Sequence, residues 1–362
     1  MKTINWKRRG IVLGTLMALG LLMQVLSRQT AWFGEWYAVH IYPLWVNTVG
    51  RLFSALPFSV GEFLIYGGIL LVVVWLAVSV IRIRKGTYRL RKMVKGAGVF
   101  VLHAGVILFL IFNLNCGINY YRYPFSQEAG FEIKKYTKEE LTDLCEWLTE
   151  EINREAQLIE TDADGLCALP EGVKKEAGAS MRKLGGQYES LSGYYPLPKP
   201  ILSSFVMSYE KLQGVYFLTV EANYNRDMPA YSIPSTMCHE LSHLKGFMRE
   251  DEANFIAYLA CQESDSPEFR YSGDLLAYIY STNALAKEDP ETYSRIRAKL
   301  CDTANRELVH HNEWWSKYDG VVAKTYDKFN DTYLKANSQS DGVKSYGRMV
   351  DLLLSYRADL GD

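Results

Sequence analysis

The sequence predicts a mostly helical α+β fold set behind three membrane-spanning helices. Three observations carry that reading. Three uninterrupted apolar runs, each of about 20 residues, occupy the first third of the chain. Composition then shifts near residue 120 to a mixed, polar, Tyr-rich sequence of the kind found in water-soluble domains. In that second part most windows repeat apolar residues at helical spacing, while residues 214 to 224 are β-branched and aromatic. The expected division is a membrane region over 1–120 and a soluble domain over 121–362.

The expected spans are residues 10–27, 63–81 and 96–114. The first follows Lys7, Arg8 and Arg9, and it lacks a small-residue cleavage site, so it reads as a retained span rather than a signal peptide. The N-terminus and the segment Arg82 to Lys95 are short and basic, which places both in the cytoplasm. Three spans then carry the chain beyond residue 118 to the outer side. The segment between spans one and two has few charges, and its Trp32, Trp36, Tyr37, Tyr42 and Trp45 suit an interfacial aromatic belt. His103, inside the third span, has no second ionisable group beside it and reads as a packed residue. The net charge of −1 gives no sign of a nucleic-acid partner. None of the six cysteines falls in a CxxC pair, which excludes a zinc ribbon, and their irregular spacing gives no sign of disulfides.

In the soluble part, residues 137–156 read as an amphipathic helix with Leu141, Leu144, Cys145, Leu148 and Ile152 on one face. Thr137 and Glu140 make a capping box for it. A second helix is expected over 171–189. Pro196, Pro198 and Pro200 force an extended segment. Residues 214–224 read as one strand, the candidate edge for binding an extended substrate, with Glu221, Asn223 and Asn225 toward a cleft. Pro234 and Ser235 open a helix that stops at Gly246. Another runs from about 250 to 263, and 272–356 are mostly helical by pattern.

The chemistry concentrates in His239-Glu240-Leu241-Ser242-His243. Residues four apart on a helix share a face, so two imidazoles at this spacing can hold one zinc ion. Glu240 between them can serve as general base toward a water that the ion activates. A catalytic zinc takes three protein ligands and keeps one position open. The third ligand is sought in the acidic run after Gly246, where Glu250 and Glu252 both have suitable spacing. By itself that run would read as a solvated helix start, where carboxylates are favoured anyway. For a second oxyanion donor the candidates are His310, His311, Tyr333 and Tyr346, and the sequence does not choose among them.

Glu250-Asp251-Glu252-Ala253-Asn254 resembles the ExxA(D/N) segment of gluzincin-type metallopeptidases. That resemblance implies Glu250 as third ligand, with Glu252 the alternative, and Asn254 as a residue orienting a ligating histidine. Gly246 sits where metzincins have their Gly, but Arg249 replaces their third His, so the metzincin pattern is broken. The three spans, NYYRYPF, GVYFLTVEANYN, CHELSHLKGFMREDEANFIAYLAC and the tail YLKANSQSDGVKSYGRMVDLLL together resemble the bacterial membrane-protein family labelled domain of unknown function 3810. The resemblance covers nearly the whole chain. It implies a zincin-like metallopeptidase domain in a multi-pass protein of a bacterial cell membrane. The central segment is also similar to the metallopeptidase region of phage-repressor-cleaving regulators, which are soluble, so no substrate carries over.

The expectation is a Zn2+-dependent peptidase anchored in the lipid bilayer and acting on a peptide or protein substrate. His239, His243 and Glu250 would hold the metal and Glu240 would act as base. Two other readings compete. A zinc-dependent cell-wall peptide hydrolase would want wall-binding repeats, and none is visible. A non-enzymatic receptor or scaffold would have no need of Glu240 beside its metal site.

Overall fold

The computed structural model describes residues 6–337 and 348–361. Three long helices come first: Trp6–Gln29, Val60–Arg84 and Leu90–Phe112. The third continues through a wider turn, Asn113–Gly117, and a tight one, Asn119–Tyr121. All three are long and apolar enough to cross a membrane. At about 1.5 Å per residue, 25 residues reach roughly 37 Å, more than the ~30 Å of a hydrocarbon core. Their side chains are mostly uncovered by protein, as lipid-facing helices are. The first and third lie together, with Gly20 against the Phe109 ring and Gln24 donating to Asn113. His103 bonds the Val99 carbonyl of its own helix.

The segment between the first two spans departs from an aromatic belt. It forms the helix Ala31–His40 and shorter turns down to Ser54. Trp32 and Trp36 are exposed, but Tyr37, Tyr42 and Val46 are buried in the same core as the soluble part. The hydrophobic core therefore runs across residue 120 instead of beginning there. It also contains Ile118, Tyr120 and Phe125 from the exit of the third span.

The second span is tied to the soluble part by two carboxylates. Ser59 caps this helix by accepting from the Glu62 backbone N–H. Glu221 accepts from the backbone N–H groups of Val60 and Gly61 at 3.0 and 2.9 Å, so the unsatisfied donors of the helix start face a negative charge. Lys199 Nζ closes the same group at 2.6 Å from Glu221. Glu62 accepts from Leu202 and Ser203 at 2.9 and 2.8 Å. Gln29, Val60 and Phe112 mark the ends of the three long apolar helices that lie toward the rest of the chain.

The sheet has three short strands, β1 Lys199–Pro200, β2 Gly214–Phe217 and β3 Glu221–Tyr224, in the order β1-β3-β2. β1 runs parallel to β3, and β2 antiparallel to it with Gly214 opposite Tyr224. The single strand expected over 214–224 is thus a hairpin. The chain reverses at Val220, which adopts a left-handed φ of 61° although a β-branched residue disfavours it. Full burial against Gly50 holds Val220 there.

The helix Lys138–Glu155 carries the expected capping box and buries the expected face. The next is shorter than expected, Val173–Leu184, since Gly172 and Gly185 bound it. Then come the helix Ile233–His243, which carries the candidate metal residues, and the acidic helix Glu250–Gln262, separated at Gly246, whose φ is +83°. The long helix Pro267–Glu288 packs on both, followed by Pro290–Arg297, Asp302–Ser316, Val321–Ala336 and Arg348–Gly361. All six cysteines are free thiols.

Candidate metal centre

The helix Ile233–His243 has Pro234 in its first turn, where a missing N–H costs nothing, and it is buried along nearly its whole length. Helical spacing brings the His239 and His243 rings to 4.8 Å between centroids. Among the described residues, His239, Glu240 and His243 form one group of donors whose ligand atoms all lie within 4.8 Å of one another.

Each imidazole has its Nδ1 engaged from behind. His239 Nδ1 lies 2.8 Å from Asn254 Oδ1, and His243 Nδ1 lies 2.7 Å from the Phe247 carbonyl oxygen. Both contacts are to acceptors, so each Nδ1 carries a proton, and each Nε2 is left on the side away from that bond. The Phe247 carbonyl is in place because the chain turns back at Gly246. At the other end of His243, Tyr42 donates to its backbone carbonyl at 3.0 Å. That proton is committed, so the Tyr216 hydroxyl donates to Tyr42 in turn.

The acidic helix supplies the third group. Glu250 Oε2 lies 3.3 Å from His239 Nε2. Glu252, the alternative ligand, points the other way: it accepts from the Phe125 backbone N–H at 2.8 Å and from Arg249 at 2.9 Å. Asn254, one turn after Glu250, holds His239 and donates from Nδ2 to Tyr280 at 3.2 Å.

Burial shapes the charges. It pushes the Glu240 carboxyl up to about 8, against the pull of His239 and with Glu250 adding to the rise. Burial likewise lowers His243 to about 4, with His239 helping. Burial also pulls His239 down, but Glu250, Glu240 and the Asn254 bond outweigh it and the net direction is upward. Glu240 Oε2 is buried with no hydrogen-bond partner. Such an orphaned carboxylate oxygen is costly unless a further group occupies the space before it.

The donor set fits zinc. Two imidazole nitrogens and a carboxylate oxygen are the usual neutral-water zinc ligands, and two ligand atoms each about 2.0–2.1 Å from a tetrahedral ion lie about 3.3 Å apart. The His239–Glu250 separation has that value.

These groups line a cleft of about 600 Å3. One wall is Glu210 to Tyr216, including the edge strand β2; the other carries Tyr326, Phe329, Asn330 and Tyr333. The edge beside the site is therefore β2, and the expected Glu221, Asn223 and Asn225 do not line the cleft. Glu221 serves the second span, Asn223 bonds the Val215 and Glu221 carbonyls, and Asn225 bonds Ser208 and Leu212. Of the oxyanion candidates, Tyr333 lines the cleft and is held by Tyr120 at 3.1 Å. His311 is occupied with Tyr231 outside it, His310 does not line it, and Tyr346 falls outside the described residues. Tyr120, Tyr280 and Tyr326 also line the cleft, and sequence reasoning passed over them. Their only signal was the count of 25 tyrosines.

A family profile described as "Protein of unknown function (DUF3810)" matches residues 37–354. No curated protein and no solved structure matches the chain. The match spans nearly the whole length, from the helix after the first span to the last helix, and the chain belongs to the DUF3810 family.

Proposed function

We propose that the chain is a membrane-anchored, zinc-dependent peptidase with a zincin-like soluble part outside the cytoplasm. The observation that carries the reading is the close group His239, Glu240 and His243, with Glu250 Oε2 3.3 Å from His239 Nε2 in the same cleft and a Glu240 oxygen buried without a partner. The basic Arg82 to Lys95 segment joins the span ends opposite the soluble part, which supports its outward placement.

Bound zinc would lower the pKa of a water and polarise a substrate carbonyl. Asn254 and the Phe247 carbonyl fix the imidazole tautomers, so both lone pairs stay directed at the ion. Glu240 takes the proton of the attacking water and returns it to the leaving amine. Its carboxylate is buried in the cleft, out of bulk solvent and beside the two imidazoles. The edge strand β2 offers main-chain groups for an extended polypeptide. Tyr333, Tyr326 and Tyr280 place hydroxyl donors in the cleft.

The test is zinc stoichiometry in the full chain held in detergent or nanodiscs, beside His239→Ala and Glu240→Gln. We expect one zinc per chain, lost in His239→Ala and kept in Glu240→Gln, with hydrolysis of an unfolded casein substrate lost in both. A folded wild-type chain that binds no zinc would remove the reading. Zinc bound equally by both variants would place the metal elsewhere.

A further inference from the structure

The cleft is rooted in the ends of the membrane spans. Cys116 and Tyr120 line it, and both lie on the turns that continue the third spanning helix beyond Phe112. At about 1.5 Å per residue they sit roughly 6 and 12 Å above Phe112 along the helix. The headgroup layer outside a ~30 Å hydrocarbon core is itself about 5–8 Å thick on each side. The third candidate span itself runs on through Tyr121, so Cys116 and Tyr120 place the cleft at its outer end.

Both walls are tied down at that level. In the wall helix Val321–Ala336, the Tyr333 ring stands edge-on to Phe112 at 6.1 Å. Arg28, at the end of the first span, donates to the Ala336 carbonyl of the same helix at 2.9 Å. The opposite wall begins where Glu62 of the second span holds Leu202 and Ser203. The chain runs from there through the helix Ser204–Tyr209 into the cleft residues Glu210 to Tyr216.

Large apolar side chains are exposed on the segments that form or lead into the two walls: Leu202, Phe205, Val206 and Tyr209 precede Glu210, while Val322 and Phe329 lie on the wall helix, Phe329 being 66% exposed and lining the cleft. The two groups meet where the Tyr209 ring packs edge-on against Tyr318 at 5.2 Å, beside the Lys211–Asp319 ion pair. An exposed apolar patch continuous with membrane spans is what a bilayer covers.

We propose that this rim rests in the outer headgroup layer and that the substrate is a polypeptide anchored in the same membrane, cut within about six residues of its anchor. The distance follows from reach: an extended chain covers at most about 3.3–3.6 Å per residue, so the roughly 12 Å from Phe112 to Tyr120 takes about four residues, and about six allow for a chain that is not fully extended. The substrate claim rests on the peptidase reading; the contact with lipid does not.

Two measurements on the full chain in phosphatidylethanolamine–phosphatidylglycerol nanodiscs test it. In the first, benzoylphenylalanine replaces Phe205, Val322 or Phe329, with Glu139 as a distant exposed control, and photolabelling of radioactive phosphatidylglycerol is read. We expect several-fold more lipid label at the three rim positions than at 139. Equal labelling overturns the rim contact. In the second, the zinc-loaded chain meets a reporter in the same nanodisc: one spanning helix followed by an unstructured tail of about 40 residues with a repeating sequence. Mass spectrometry reads the cut positions. Cuts clustered next to the helix support the proposal. Cuts scattered along the tail, or equal cutting of the tail without its helix, overturn it and leave the peptidase reading standing. No cut at all in either reporter, with zinc bound, overturns both.

Discussion

Gly214 opens the edge strand directly opposite Glu240, and a β-carbon there would collide with the Glu240 carboxylate. The position is fixed by closeness of approach, since no unusual backbone angle is recorded for it. Gly214→Ala should therefore push the proposed base out of line while leaving the histidines untouched. A misplacement of about 1 Å can cost on the order of 100-fold in rate. We expect casein hydrolysis to fall by about that factor with zinc content unchanged, read by peptide release and metal analysis on one preparation. Unchanged hydrolysis would mean that Glu240 is not positioned by this strand. At this scale much of the site was legible. Two histidines four apart around a glutamate define a face on any helix. Glu250 and Glu252 were not separable by spacing alone, because only the start of the acidic helix decides which one faces inward. Two residues apart, they diverge by about 200° around the axis, so once Glu250 meets His239 the other is carried to Phe125. Asn254, four residues on from Glu250, returns to the metal side for the same reason.

Among elements, the sheet departs furthest from expectation. A run such as GVYFLTVEANY reads as one strand because valine resists a positive φ, and nothing local marks Val220 as the turning point. Val220 packs against Gly50, far away in sequence, whose bare backbone leaves room for the Val220 side chain. Glu221, next along, then works as the joint between sheet and membrane span. It receives two backbone N–H groups, the Lys199 ammonium and the Thr219 hydroxyl, all buried. Glu221→Ala would leave Lys199 without its counter-ion in the interior, with only the Phe53 and Phe58 carbonyls to receive it, at a cost of up to about 3–5 kcal/mol. Glu221→Gln, which keeps the shape and an acceptor, should lose less. Thermal unfolding of the three proteins in nanodiscs measures the difference. If the alanine variant melts with the wild type, the joint contributes nothing and the second span is held by Glu62 alone.

For the whole molecule, the helical character and the three spans follow directly from apolar periodicity and run length, which are local properties. The extent of the core was hidden, because Tyr37, Tyr42 and Val46 join it through contacts far away in sequence. A fragment of residues 126–362 would lack those side chains together with Ile118, Tyr120 and Phe125. We expect it to bind dyes specific for exposed apolar surface, lack a near-ultraviolet circular dichroism signal and be digested within minutes by a protease that spares the full chain. A fragment that folds sharply would show the upstream helices to be dispensable.

The bond from Tyr42 to the His243 carbonyl joins positions 201 residues apart. Ribosomes add about 5–20 residues each second, so these two groups are made roughly 10–40 s apart. During that interval Tyr42 and Tyr37 are already past the first span, waiting for a partner that has not been synthesised. The helix Ile233–His243, for its part, emerges only after all three spans have been synthesised. Assembly is thus ordered in time: the three long apolar helices are synthesised before His239 and His243 exist, so the surroundings of the two imidazoles are completed by the later segment.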